Sequence, residues 1–146
     1  MKKALLALLL VCTLMCISCA PSSAAAAAKK LEANGYYVMI ADENNGEVEE
    51  AMSMFEMDDD GVYAVVCGSE DEGGPDDTFA FVYVIFCDNA SSADRVTKDC
   101  NEFLDEYMEE LLEDLGEGEY DLDDFCAVKK GKVVLFGLKE IVDIVS

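Results

Sequence analysis

Thr78 to Cys87 reads TFAFVYVIFC, ten residues without a charge, and it is the strongest strand prediction in the chain. Aromatic and β-branched residues in a run of this length favour a buried strand. Just before it, Gly61 to Cys67 (GVYAVVC) predicts another strand, buried on both faces. The acidic stretch Gly68 to Asp77 (GSEDEGGPDD) separates the two runs and contains the Gly and Pro residues typical of a loop. The sequence therefore predicts two consecutive strands joined by an acidic loop.

Three further elements are predicted before this pair of strands. Ala24 to Ala33 contains strong helix formers and is followed by Asn-Gly, which stops a helix. Tyr36 to Ala41 (YYVMIA) is short and rich in β-formers, which indicates a strand. Glu47 to Met57 is predicted to be a helix, capped by Asn44 or Asn45, with a strand as the competing interpretation. Its apolar residues follow helical spacing: Val48, Ala51, Met52 and Phe55.

The second half of the chain predicts a long helix, a hairpin and a closing helix. Ser91 to Asp94 resembles a capping box, and Gly116 ends the helix that follows it. Phe125 to Lys129 and Lys132 to Phe136 flank a Lys-Gly turn and predict a hairpin. Leu138 to Val145 is predicted to close the fold as a short helix. The long helix carries one apolar stripe: Val96, Cys100, Phe103, Leu104, Tyr107, Met108, Leu111 and Leu115.

The order of these elements predicts an α+β fold. From Tyr36 the order is strand, helix, strand, strand, helix, strand, which is the βαββαβ order of the ferredoxin-like fold. We expect an antiparallel sheet with helices on one face, to which an N-terminal helix, a C-terminal hairpin and a short helix are added. Residues 29–146 would form this single domain.

The N-terminus has the pattern of an export signal. Met1 to Lys3 is basic, and Ala4 to Ile17 is a run of 14 residues without charge. This combination is typical of a secretory signal peptide. A membrane-spanning anchor would need about 20 apolar residues, and Ser18 and Pro21 interrupt the run before that length.

Ile17-Ser18-Cys19-Ala20 resembles the cleavage site of bacterial lipoproteins, in which a small residue precedes a Cys that receives the lipid. The position where that family usually has Leu is occupied by Cys16. The resemblance implies a signal peptide over residues 1–18, lipidation of Cys19, and a tether over residues 19–28. The alanine run could equally begin a helix capped by Ser22 or Ser23. Cleavage within that run, giving a secreted protein, and an uncleaved anchor are the alternatives. The chain also loosely resembles small uncharacterised lipoproteins of anaerobic Gram-positive bacteria, a resemblance that implies no activity.

Composition excludes several classes of function. The chain has 10 Lys+Arg against 32 Asp+Glu, a net charge of −22, so phosphate backbones would repel it and nucleic acid is not expected as a partner. The chain has no His and therefore no imidazole base or ligand. It also contains no nucleophile-elbow, phosphate-loop or dinucleotide motif. The only chemistry that this composition permits is hydrolysis by a pair of carboxylates.

Acidic residues are concentrated between Asp42 and Asp124, where 29 acids accompany two bases. The predicted topology brings the two acidic loops to the same end of the sheet, where they would repel each other or bind a hard cation such as Ca²⁺ or a basic partner. Glu56 to Gly61 imitates the start of an EF-hand loop, but its twelfth position is Cys67 instead of Glu. The candidate metal ligands are Glu70, Asp71, Asp76, Asp77, Asp121, Asp123 and Asp124.

Four cysteines besides Cys19 remain in the mature chain, and buried thiols are the favoured interpretation. Cys67 and Cys126 are predicted at the same end of the sheet, so a disulfide between them is the alternative. Lysines on the predicted hairpin, at positions 129, 130 and 132, would block edge pairing or contact an anionic surface.

Taken together, these patterns predict a small acidic binding module without catalytic activity. It would be exported and held at the cell membrane or envelope by the lipid on Cys19, or else be secreted, with an unknown envelope or extracellular partner and no required cofactor. A weak Ca²⁺-dependent module is the second hypothesis, and a carboxylate-based hydrolase is the third.

Overall fold

The computed structural model describes residues 20–70, 72, 80–114 and 120–146, with the backbone alone for residues 113 and 114. The strands in these residues are β1 (Tyr37–Asp42), β2 (Val62–Ser69), β3 (Phe81–Cys87), β4 (Phe125–Lys130) and β5 (Val133–Leu138). The helices are α1 (Ala24–Glu32), α2 (Val48–Ser53), α3 (Ala90–Phe103), α4 (Glu109–Asp114) and α5 (Lys139–Val145). A π-helical segment, Leu104–Met108, joins α3 to α4, and a short 3-10 helix, Leu122–Asp124, precedes β4. The protein is therefore α+β, as the sequence predicts.

Side-chain caps decide where two of the helices begin. The Ser23 hydroxyl accepts a hydrogen bond of 3.2 Å from a backbone N–H in the first turn of α1. The Asn89 side chain caps α3 by accepting from the backbone N–H of Ser92 at 2.9 Å. The helix therefore starts before the capping box predicted from the serines. For α2, the predicted asparagine cap is wrong, because the N-cap residue is Glu47 and α2 has no side-chain cap hydrogen bond.

The alanine run belongs to the folded domain. Ala27, Ala28 and Leu31 of α1 are buried in the core. Of the two alternatives for this run, the structure shows the helix capped by Ser23. A tether that starts at Cys19 would then reach only Ser23 and not Ala28.

The five strands lie in the order β1-β2-β3-β5-β4, and each neighbouring pair is antiparallel. The order of elements along the chain is the predicted one, but the pairing differs from a ferredoxin-like sheet, in which the first two strands are parallel with another strand between them. Here β1 and β2 are direct antiparallel neighbours. Because α2 has only six residues, about 9 Å of helix, it cannot carry the chain back along a strand of about 20 Å.

The helices that follow β1 and β3 share one face of the sheet, as predicted. Cys67, Tyr83 and Phe136 lie side by side on that face. Phe55, just after α2, packs over it, with its ring centroid 4.9 Å from Tyr83 and 5.2 Å from Phe136. The same ring lies 5.0 Å from Phe103 of α3. This aromatic cluster is the centre of the core on that side.

The added terminal helices cover the opposite face, so helices lie on both faces and not on one. A Cβ built on Gly68 would lie 2.8 Å from Leu31 Cδ1 of α1. Helix α1 packs against α5, whose inward residues are buried. The predicted inward residues are all buried: Leu138, which ends β5, and Ile141, Val142 and Val145 of α5. Strands β2, β3 and β5 are consequently enclosed on both sides.

The apolar stripe of the long helix is only partly buried. Its buried members are spaced four residues apart: Val96, Cys100, Leu104 and Met108. Tyr107 and Leu111, predicted to face the core, are exposed. The π-helical segment explains the difference, because its wider turn shifts the inward face relative to regular α-helical spacing. Leu115 lies outside the described residues.

Candidate functional site

The acidic loops leave the sheet at a shared end. Glu70 donates its backbone N–H to the Ala80 carbonyl at 3.1 Å, which closes the base of the loop between β2 and β3. Phe125, the first residue of β4, lies beside Phe81, the first residue of β3, with 6.0 Å between the ring centroids. Glu70 and the segment 121–124 are therefore at the same end. The candidate ligands Asp71, Asp76 and Asp77, and the candidate lipidation residue Cys19, lie outside the described residues.

The acids before β4 stabilise their own short helix. Asp121 accepts from the backbone N–H of Asp123 at 3.0 Å, and Asp124 accepts from the backbone N–H of Asp121 at 3.0 Å, which completes a capping box. The ammonium group of Lys139 donates to the Asp123 carbonyl. Across the part of the chain that the structure describes, no group of three or more acidic or thiol side chains is placed to hold a metal ion.

An arginine holds the segment that imitates an EF-hand loop. Arg95 of α3 donates to the Asp58 carbonyl at 3.0 Å and to the Asp60 carbonyl. Its guanidinium also lies 3.7 Å from the carboxylates of Asp58 and Asp99. Cys67 stands at the twelfth position, where a calcium loop needs its last ligand, and this residue lies inside β2. The positive charge that this segment binds in the structure is therefore the guanidinium of Arg95.

Cys67 and Cys126 are not joined by a disulfide. Two strands, β3 and β5, separate β2 from β4, so these residues are three strand spacings apart, about 14 Å. They also face opposite sides of the sheet, because Cys67 aligns through Tyr83 and Phe136 with Ala127, the neighbour of Cys126. A disulfide needs Cα atoms within about 7 Å. The alternative pairing is therefore wrong, since sharing an end of the sheet does not make two strands neighbours.

The buried thiols are poor nucleophiles. Burial raises the pKa of the Cys87 thiol to about 11. Burial, with a smaller effect from Asp99, also raises the pKa of Cys100, whose Sγ lies 3.7 Å from the Met57 sulfur. Near neutral pH both side chains are protonated and pack as small apolar groups.

The most unusual surface belongs to β1, which lies at one edge of the sheet. Tyr37 is 51% exposed, Met39 is 56% exposed and Ile40 is 39% exposed. Within the described ranges, no strand pairs with the side of β1 that faces away from β2, which we call the β1 edge. Natural edge strands are usually protected by charges, prolines or bulges, whereas residues 36–41 contain no charge and no proline. The β1 edge is therefore an open and apolar pairing surface.

One end of the β1 edge is covered by a side chain. The Asn45 amide donates to the Ile40 carbonyl at 2.9 Å and accepts from the Asp42 backbone N–H at 2.9 Å, as a peptide group of a neighbouring strand would. These two backbone groups must point away from β2. Because backbone groups alternate in direction along a strand, the N–H and C=O of Val38 and the N–H of Ile40 also point outward. Among the residues that the structure describes, no neighbouring strand therefore pairs with these groups over the first part of β1.

The opposite edge of the sheet is protected. Strand β4 carries Lys129, which forms an ion pair with Asp94 of α3, and Lys130 follows it. Helix α3 packs against β4. Lys132, in the adjoining turn, donates to the Asp88 carbonyl at 2.8 Å. The contrast between the two edges identifies β1 as the candidate binding surface.

Carboxylates lie at both ends of the β1 edge. Tyr36, just before β1, has its pKa raised by burial and by the negative charges of Glu70 and Glu140. At the other end, the Asp42 carboxylate accepts from the backbone N–H groups of Asn44 at 2.8 Å and Asn45 at 3.2 Å. These bonds lower the pKa of Asp42, which keeps it ionised. A ligand of the β1 edge would meet negative charge on either side.

No protein-family model, curated protein or solved structure matches this chain. None of the helices in the described ranges has both the length and the apolar character needed to cross a bilayer.

Proposed function

We propose that this chain is an exported, envelope-tethered binding module that holds a partner at the β1 edge and performs no catalysis. The observation that carries the proposal is the exposure of Tyr37, Met39 and Ile40 on an unprotected edge strand. An edge of this kind can bind an extended segment of a partner, which then adds a strand to the sheet. In a chain with a net charge of −22, three exposed large apolar side chains within four consecutive residues form a local apolar surface.

The tether is supported by the sequence that precedes the domain. Ala20, which follows Cys19 in the sequence, packs against the core. Helix α1 starts only four residues later, at Ala24. A lipid on Cys19 would hold the domain within about 13 Å of the membrane surface, because four residues span about 3.3 Å each even when fully extended. The partner would then be another component of the envelope or its surroundings.

The chemistry of the side chains supports binding rather than catalysis. The chain has no His, and the buried thiols are protonated because burial raises the pKa of Cys87 and Cys100. Hydrolysis by a pair of carboxylates needs two acids that face a cleft and have separated pKa values. Asp121 and Asp124 are instead engaged in a helix cap.

The tether is tested by labelling. Bacteria expressing the wild-type chain or Cys19→Ala are grown with a radioactive fatty acid, and the membrane fraction is examined. We expect label on the wild-type protein and none on Cys19→Ala, with Cys16→Ala labelled like the wild type. Equal labelling of all three, or recovery of the protein in the cytosol with its first residues intact, would refute an envelope lipoprotein.

The binding role is tested by photo-crosslinking in intact envelopes. A photoreactive amino acid replaces Met39 in the β1 edge, and the control replaces Leu122, which is 36% exposed beside the opposite edge. We expect a discrete adduct from position 39 and none from position 122. Identical adduct patterns from the two positions would contradict a binding role for β1.

A further inference from the structure

We infer that the occupant of the β1 edge is an extended basic segment of another protein, with alternating apolar residues between flanking lysines or arginines. This inference rests on the proposed function and adds the chemical class of the partner. It joins three observations: the open backbone groups of β1, its exposed apolar side chains, and the distribution of charge around it.

The backbone groups define the length of the segment. The N–H and C=O of Val38 and the N–H of Ile40 face outward, whereas Asn45 already occupies the Ile40 carbonyl and the Asp42 N–H. An added strand can therefore pair with β1 only from about Tyr36 to Ile40, which corresponds to four or five residues of partner. A proline at the centre of that segment would remove a needed N–H.

The side chains of β1 define the apolar pattern. Tyr37 and Met39 lie on the sheet face that carries α2, and Ile40 lies on the other face. Since neighbouring residues of a strand alternate between faces, a partner strand places successive side chains beside these two surfaces in turn. Residues with high β-propensity would be favoured there.

Charge selects a basic partner and disfavours a second copy of this chain. Between Leu31 and Asp94 the sequence contains 17 acids and no Lys or Arg, and this stretch includes β1, β2 and β3. Antiparallel pairing of β1 with its own copy would bring Asp42 of each chain towards Glu70 of the other, and each chain carries a net charge of −22. Lysines or arginines at the ends of the segment would instead meet carboxylates at both ends of the β1 edge.

Peptide titration tests the inference. The full chain is purified in mild detergent, and fluorescence anisotropy measures binding of the labelled peptide Lys-Lys-Val-Thr-Val-Thr-Val-Lys-Lys. One control replaces the central Val by Pro and keeps every charge, and the other replaces each Lys by Glu. We expect each control to bind at least about tenfold more weakly than the basic peptide. Equal affinity of the proline peptide would overturn strand addition, and equal affinity of the acidic peptide would overturn charge selection.

Matched variants localise the binding. Met39→Lys places a charge on the β1 edge, and Leu122→Lys makes the same change in net charge at the far edge. Val38→Pro removes an outward N–H without taking a hydrogen bond from β2, a position where edge strands tolerate proline. We expect Met39→Lys and Val38→Pro to weaken the basic peptide at least about tenfold, and Leu122→Lys to leave its affinity within about twofold. Equal losses in the two lysine variants would show diffuse attraction to the acidic surface and refute the site.

Sedimentation distinguishes a second copy from a foreign segment. A concentration-dependent dimer that Met39→Lys abolishes would show that the edge binds its own copy, which contradicts the inference. The inference can also fail independently of the proposed function. Adducts from position 39 in the envelope, together with peptides that bind without preference, would leave the binding module standing and refute only its basic partner. If position 39 gives no adducts and the chain shows no preference for the basic peptide, both the binding module and its basic partner are refuted.

Discussion

Replacing Gly137 by alanine should damage the sheet at the point where β5 approaches β3 most closely. Gly137 has a φ of +140°, a backbone conformation that costs an L-residue about 1–3 kcal/mol. A Cβ there would lie 2.2 Å from the Phe81 carbonyl oxygen and 2.8 Å from Val82 Cα. Because both neighbours are backbone atoms of β3, the strand itself must shift, at a further cost of about 1–3 kcal/mol. Gly137→Ala should therefore lower the free energy of unfolding by about 2–6 kcal/mol.

The matched control is Gly68→Ala, another added methyl group in a neighbouring part of the sheet. Its Cβ would meet Leu31 Cδ1 at 2.8 Å, which is the far end of a flexible side chain, and Gly68 has no positive φ. Removing a glycine from a strand also gains about 0.5–1 kcal/mol. Urea titrations followed by circular dichroism should therefore show a loss of less than about 2 kcal/mol for Gly68→Ala. A Gly137→Ala protein as stable as Gly68→Ala would refute the close packing of β5 on β3.

Three further outcomes are expected. Arg95→Met should lower the free energy of unfolding in urea by about 1–3 kcal/mol, because two carbonyls lose a charged donor, whereas Lys98→Met should stay within about 0.5 kcal/mol, since it removes only an exposed pair. The pKa of the Cys87 thiol is about 11 in the folded state against a usual 9.0, so the unfolded state loses this proton first as the pH rises. The free energy of unfolding should therefore fall between pH 9 and 11. A Cys87→Ala protein whose free energy of unfolding falls equally steeply with pH would contradict this. Calcium chloride at 2 mM should shift the melting temperature no more than sodium chloride of equal ionic strength, and an additional shift above about 2 °C would favour the calcium-dependent module.

Local signals in the sequence predicted the elements of this fold because those signals act over a few residues. Strand β3 occupies Phe81–Cys87 of the predicted run Thr78 to Cys87. The hydroxyl of Ser23, one of the two proposed residues, caps α1. Helix α3 begins at Ala90 because Asn89 precedes the serines and competes with them as a cap. Two nearby residues with the same capping chemistry cannot be ranked from sequence without the backbone geometry.

The pairing of strands depends on interactions that the sequence does not display locally. The sequence predicts an 11-residue helix between β1 and β2, but α2 has only six residues. Because this helix is too short to carry the chain back along the sheet, β2 begins at the end of the sheet where β1 finishes. That change makes β1 an edge strand and exposes Met39. It also explains why Cys67 and Cys126, correctly expected at one end, are separated by two strands. The candidate site was missed because an edge is a property of strand order.

Hydrogen exchange of individual amides in the isolated chain tests the open β1 edge most directly. The N–H groups of Val38 and Ile40, which point away from β2, should exchange almost as fast as amides in an unfolded peptide, while those of Met39 and Ala41 should be protected by pairing with β2. Addition of the basic peptide should then slow exchange at Val38. If the Val38 amide is already as protected as that of Met39 in the isolated chain, the edge is covered and β1 is not the binding surface.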